Sequence, residues 1–104
     1  MVNYNVVISD LAKQDIRDTN TYINDQLLNP IAAANTTDAI IDAIFKLENM
    51  PKRVPLVRDE RLAKMGIRGL IILNYISFFR INENVKSIEI IRVLYSRRDW
   101  KVIL

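Results

Sequence analysis

The sequence predicts a two-layer α+β domain: an N-terminal strand, an antiparallel helical hairpin, a three-stranded antiparallel meander and a short C-terminal helix. Three observations lead there. Apolar residues recur at threes and fours between residues 10 and 49, β-rich runs replace that period after Ile67, and a stretch with Pro51 and Pro55 and no sustained periodicity separates the two regions. A chain of 104 residues is long enough for one core and short for two, so residues 1–104 read as a single domain. Half of the residues are hydrophobic and about a quarter charged, the balance of a folded, soluble globular protein.

The first strand is read over residues 2–8, VNYNVVI, which alternates and then becomes continuously apolar. Ser9 follows with an N-cap hydroxyl, and Asp10 puts a negative charge in the first helical turn, where the helix dipole favours it. The expected apolar stripe of this helix is Leu11, Ala12, Ile16, Thr19, Ile23 and Leu27, with Lys13, Asp15, Arg17 and Asp18 off it.

Asn29-Pro30 marks the next helix, because asparagine caps well and proline at the first helical position loses no needed hydrogen bond. This helix is read to about Asn49, with Ile31, Ala34, Ile40, Ile41, Ile44 and Leu47 as its apolar face, and the short connection makes the pair an antiparallel hairpin. Met50-Pro51 ends it. Residues 51–66 form a long basic connection with one helical turn from Glu60 to Lys64, a candidate contact surface. The meander is read as Arg68–Leu73, Tyr75–Ile81 and Ser87–Tyr95, followed by a short terminal helix capped by Asp99.

Composition removes several chemistries. With no cysteine and no histidine there is no disulfide, no thiolate nucleophile and no imidazole base or ligand, so neither a metal centre nor a cofactor site is expected. The N-terminus lacks the pattern of a secretory signal and no run reaches membrane-spanning length, which points to a cytoplasmic protein with no membrane partner. There is no glycine-rich phosphate loop, since Gly66 and Gly69 are the only glycines.

Charge is polarised along the chain. Residues 1–50 hold three bases against seven acids, a net of −4, and residues 51–104 hold twelve bases against five acids, a net of +7. Such a field favours an acidic partner, either nucleic acid or an acidic protein segment.

The closing stretch IEIIRVLYSRRDW concentrates candidates. Strict alternation puts Glu89, Ile91, Val93 and Tyr95 on one face of the last strand and Ile90, Arg92 and Leu94 on the other, and it lets Arg68 and Arg80 project from an open sheet face as a basic floor. Arg97 and Arg98 end the strand. Tyr95 and Trp100 could stack nucleic-acid bases, although Val102, Ile103 and Leu104 favour packing of Trp100 on the sheet. Histidine-free RNA cleavage would draw on a phenol, carboxylates and cations, with Arg68, Arg80, Tyr95, Arg97 and Arg98 as candidates.

The segments YNVVISDLAKQDIRDTNTYI, GIRGLIILNYISFFRI and IEIIRVLYSRRDW, in the order strand, hairpin, basic loop and meander, resemble the RelE/ParE toxin superfamily over essentially the whole chain. The resemblance implies a toxin of a type II toxin-antitoxin pair, assembled with a cognate antitoxin in a hetero-oligomer. RelE-like members cut mRNA on the ribosome without a metal, and ParE-like members poison DNA gyrase. RelE-like nucleases carry an arginine just after the tyrosine of the third strand, where this chain has Ile76, and a base directly after the last strand, near Ser96 here, with a tyrosine farther on that this chain lacks. The E-I-I-R-V-L-aromatic ending is similar to ParE-like members. The resemblance therefore ranks gyrase poisoning, with Arg92, Tyr95, Arg97, Arg98 and Trp100 as target-binding residues, ahead of mRNA cleavage by an endoribonuclease and of an inactive relative that only binds antitoxin.

Overall fold

The computed structural model describes residues 3–104. The expected elements appear in order: β1 (Asn5–Ile8), α1 (Asp10–Thr21), α2 (Pro30–Phe45), α3 (Glu60–Lys64), β2 (Arg68–Ile72), β3 (Tyr75–Asn82), β4 (Ser87–Tyr95) and α4 (Trp100–Ile103). The start of the first-strand reading, Val2, lies outside the described residues, and β1 itself is shorter than expected.

The caps follow the sequence. Ala12 N–H donates to Ser9 Oγ at 3.0 Å and Ala32 N–H to Asn29 Oδ1 at 3.0 Å. α1 runs on as a π-helical turn, Tyr22–Gln26, before the chain reverses. α2 continues as a 3₁₀ turn over Lys46–Glu48 and is stopped at Met50, whose φ of 54° is left-handed. α3 is the turn expected in the basic connection, capped by Asp59 at 3.0 Å and closed by Gly66 at φ +79°, a conformation that costs a β-carbon. Asp99 precedes α4 but its side chain makes no capping bond, contrary to its expected role.

The four strands lie in the order β1-β4-β3-β2. β2, β3 and β4 form the antiparallel meander, whereas β1 pairs in parallel with β4, setting Val6 opposite Ile88 and Ile8 opposite Ile90. The helical hairpin packs on one face of the sheet, its Ile40 and Ile44 meeting Phe79, Ile88, Ile90 and Val93 in one core. On the other face, Leu62 of α3 and the α4 side chains Trp100, Ile103 and Leu104 cover Phe78 and Leu94, a second and smaller core. The second layer is therefore complete and part of a third is present.

Several apolar positions assigned to the helical faces lie outside the core. Leu11, Leu27, Ile31, Ala34 and Ile41 are exposed, and Ala33 and Asp15 are buried in their place. The π turn over Tyr22–Gln26 shifts the phase of the stripe ahead of Leu27, which a fixed helical period does not anticipate.

One surface cluster ties distant segments. Glu83 in the β3–β4 turn receives Lys86 Nζ at 2.7 Å, the Tyr4 hydroxyl at 2.8 Å and Lys52 Nζ at 3.2 Å. Those donors, Lys86 first, hold its carboxyl down at about 2 from an ordinary 4.5, and Glu83 in turn raises the Lys86 ammonium.

Candidate functional site

β4 outruns its neighbour. β1 stops at Ile8, and past that point the exposed edge of β4 is served by the start of α1: Ser9 N–H donates to the Ile90 carbonyl at 3.0 Å and Ser9 Oγ to the Ile91 carbonyl at 2.9 Å. Farther along, Val93 N–H donates to Asp15 Oδ2 at 2.9 Å. A carboxylate thus replaces a strand, which satisfies a buried donor that would otherwise cost about 1–3 kcal/mol. The same carboxylate takes Arg92 Nε and Nη2, each at 2.8 Å, in a pair that is 20% and 9% exposed. Asp15 pushes the Arg92 guanidinium above its ordinary value, against the opposing effect of burial.

The edge departs from alternation at one residue. Phe78 pairs with Arg92 and Phe79 with Ile90, so Ile91 is an extra residue in β4. The bulge corrects the strict two-face assignment. Ile88, Ile90 and Val93 all face the helical hairpin, while Ile91 and Leu94 belong to the second core. The basic floor is corrected as well. Arg68 pairs in register with Phe79, on the hairpin side, and its Nη1 donates to the Val54 carbonyl at 2.6 Å. Arg80 lies on the other side and pairs with Glu89 at 2.9 Å. The two arginines occupy opposite faces.

Beyond Val93 the strand reaches an open cleft of about 730 Å³ between the end of α1 and the β2–β3 turn. Tyr75 and Tyr95, cross-strand partners, meet edge to face with ring centroids 5.6 Å apart. Burial pushes the Tyr75 phenol up, partly offset by its hydrogen bond with Thr19, so at neutral pH it is a donor and not a base. Tyr22, Ile23 and Leu27 form the helical wall, and Leu73 with Asn74 the turn side. Ser96 N–H donates to the Asn74 carbonyl at 2.8 Å, and Arg98 N–H to the Tyr95 carbonyl at 3.0 Å, a turn that brings Arg98 to the lip.

The candidates from sequence therefore separate. Tyr95 and Arg98 come together at the cleft, with Arg97 exposed beside them. Neither arginine forms an ion pair among the described residues. Arg92 is engaged by Asp15, and Trp100 packs on Phe78 at 5.2 Å within the second core. Tyr22, Tyr75 and Thr19 were missed. The signal for Tyr75 was present in the meander, because pairing Ser87–Tyr95 against Tyr75–Asn82 end to end sets the two tyrosines opposite each other. The groups gathered here are phenols, an apolar wall and a guanidinium. Among the described residues no group of acidic side chains converges to hold a metal ion, and no helix is long and apolar enough to cross a membrane.

Residues 6–100 match the family model described as the ParE toxin of the type II toxin-antitoxin system, parDE. No curated protein sequence matches. Solved structures share the fold, two of them as follows. A chain of the chromosomal ParDE toxin-antitoxin system from P. aeruginosa is 18% identical with a TM-score of 0.74, over 91% of this chain and 98% of that one. A chain of the toxin-antitoxin complex RelBE2 from Mycobacterium tuberculosis is 22% identical with a TM-score of 0.66, over 90% of this chain and 99% of that one.

Proposed function

We propose, from the premise that the chain belongs to the ParE toxin family of type II toxin-antitoxin systems, that it is a single-domain cytoplasmic toxin that poisons DNA gyrase and is neutralised by a cognate antitoxin. The observation that carries the reading is the fate of two positions. Ile76 stands where the RelE-like resemblance calls for an arginine, and it packs against the second core. Ser96 stands near the position of the base after the last strand, and its backbone is spent on the turn to Asn74. RNA cleavage needs a proton acceptor, a proton donor and phosphate-binding cations at fixed places. A binding poison needs only a complementary surface, and the exposed end of β4 with Tyr95, Arg97 and Arg98 supplies one.

The runner-up is ribosome-dependent mRNA cleavage, which the phenol of Tyr95 favours, followed in the chain by two arginines that form no ion pair among the described residues. A paired assay with purified toxin separates the two: gyrase with supercoiled plasmid and ATP, and ribosomes programmed with a defined mRNA. Inhibited supercoiling or accumulated cleaved DNA supports gyrase as the target. Discrete mRNA cuts with untouched gyrase overturn it.

A further inference from the structure

The layer that α3 and α4 add on the far side of the sheet from the helical hairpin is basic. Residues 58–64 and 97–101 hold six bases, Arg58, Arg61, Lys64, Arg97, Arg98 and Lys101, against three acids, Asp59, Glu60 and Asp99. Two of those acids are occupied: Asp59 accepts the Leu62 N–H at 3.0 Å, and Glu60 pairs with Lys64 at 3.2 Å. Arg58, Arg61 and Lys101 are exposed and form no ion pair among the described residues.

Folding brings the two segments into one ridge. Leu62 of α3 and Trp100 of α4 turn inward to the same core on Phe78 and Leu94, and Arg61 Nη2 donates to the Lys101 carbonyl at 3.0 Å. That bond sets Arg61 beside Lys101 and leaves most of the guanidinium donors free. Lys64, three residues after Arg61, shares its side of α3, and Arg58 leads directly into the helix.

The composition of the ridge selects the partner. A protein partner is held by apolar and aromatic anchors. Here Leu62 is fully buried and Trp100 is packed on Phe78 at 5.2 Å, so the exposed large apolar side chains of this layer are only Met65 and Val102. A single-stranded nucleic acid is held by stacking on free aromatic rings, and Trp100, the one aromatic of the layer, is engaged. Guanidinium and ammonium groups without a stacking ring suit the phosphate oxygens of a double helix, gripped from outside with the bases unread.

We infer that the α3–α4 layer binds the phosphate backbone of duplex DNA without regard to sequence, through Arg58, Arg61 and Lys101. The choice of DNA over RNA rests on the gyrase reading above, in which the toxin meets an enzyme that holds a DNA duplex. The cleft opens on the hairpin side of the sheet and the ridge lies on the other. One side of the toxin can therefore meet the enzyme while the other grips its DNA.

The test uses the full-length toxin and fluorescein-labelled DNA duplexes of about 20 base pairs, without gyrase, titrated by fluorescence anisotropy. Two duplexes of unrelated sequence should bind alike. Three phosphate contacts give a slope of log affinity against log salt of about −2.7, a loss of about fortyfold between about 50 and 200 mM. Arg58→Glu and Lys101→Glu, both exposed, should keep the wild-type melting temperature, weaken binding by about fivefold or more and reduce the slope by about 1. Lys13→Glu, an equal change of charge on the hairpin side, should leave affinity and slope close to wild type. No binding at about 50 mM salt, or an equal loss in Lys13→Glu, overturns the ridge. So does an RNA of the same length, single- or double-stranded, that binds at least as tightly as the DNA, or polyglutamate that competes as well as a duplex of equal charge. Gyrase inhibition is scored separately. Inhibition without DNA binding overturns the ridge and leaves the gyrase reading standing, whereas DNA binding with uninhibited gyrase removes that reading and supports the ridge.

Discussion

Asp15 of α1 and Arg92 of β4, 77 residues apart, form a two-bond ion pair in which both guanidinium contacts measure 2.8 Å. Because Asp15 also takes the Val93 N–H, one carboxylate joins helix to sheet by side chain and by backbone. Removing either partner leaves the other buried and uncompensated, which is costlier than the pair is stabilising.

Asp15→Ala should therefore destabilise the protein by about 3 kcal/mol, and Arg92→Ala by a comparable amount. Thermal melts should fall by at least about 10 °C for a chain of this size. The double variant should cost much less than the sum of the two, and additive losses in that cycle would argue against direct coupling.

Arg97→Ala and Arg98→Ala act at the opposite limit. Both side chains are exposed and unpaired among the described residues, so each change should alter stability by no more than about 0.5 kcal/mol. Gyrase inhibition should nevertheless fall by about tenfold or more in the double variant. A melting temperature that drops as far as that of Arg92→Ala would break the division between structural and recognition arginines.

Acid should weaken the protein partly through Glu83. Its carboxyl is held at about 2 when folded against an ordinary 4.5, so its contribution is complete above pH 4.5 and fades as pH falls toward 2. The stability gap between wild type and Glu83→Gln should be constant at neutral pH and close over that acidic window. Denaturant melts between pH 2 and 7 measure it, and a gap independent of pH would show that the Lys86, Tyr4 and Lys52 contacts do not persist in solution.

Trp100, the only tryptophan, reports on the second core. Its emission should be blue-shifted in the native protein and move to that of solvated indole on unfolding. Trp100→Ala should cost about 2 kcal/mol, less than a fully buried aromatic because the ring is half-exposed. Native emission already at the solvated position would mean that α4 is undocked.

Much of the fold was legible because local chemistry and the global arrangement agree: the caps at Ser9 and Asn29, Pro30 at a helix start, and the three β-rich runs each mark their own element. The site was legible only in part. Tyr95 and Arg98 stand out by type and position, whereas Asp15 reads as an ordinary solvated helix residue, because its partners are the edge of a strand 77 residues away. Alternation failed at Ile91 for a similar reason. A bulge is fixed by the pairing of two strands, and no single strand contains that information.

The parallel pairing of β1 with β4 also governs when the protein can exist. Residues 5–8 find their partners only at 87–90, so the sheet cannot close until nearly the whole chain has been synthesised. The strand that completes the sheet carries Tyr95 and leads directly to Arg97 and Arg98. A chain still being synthesised has neither the closed sheet nor the cleft that its last strand completes.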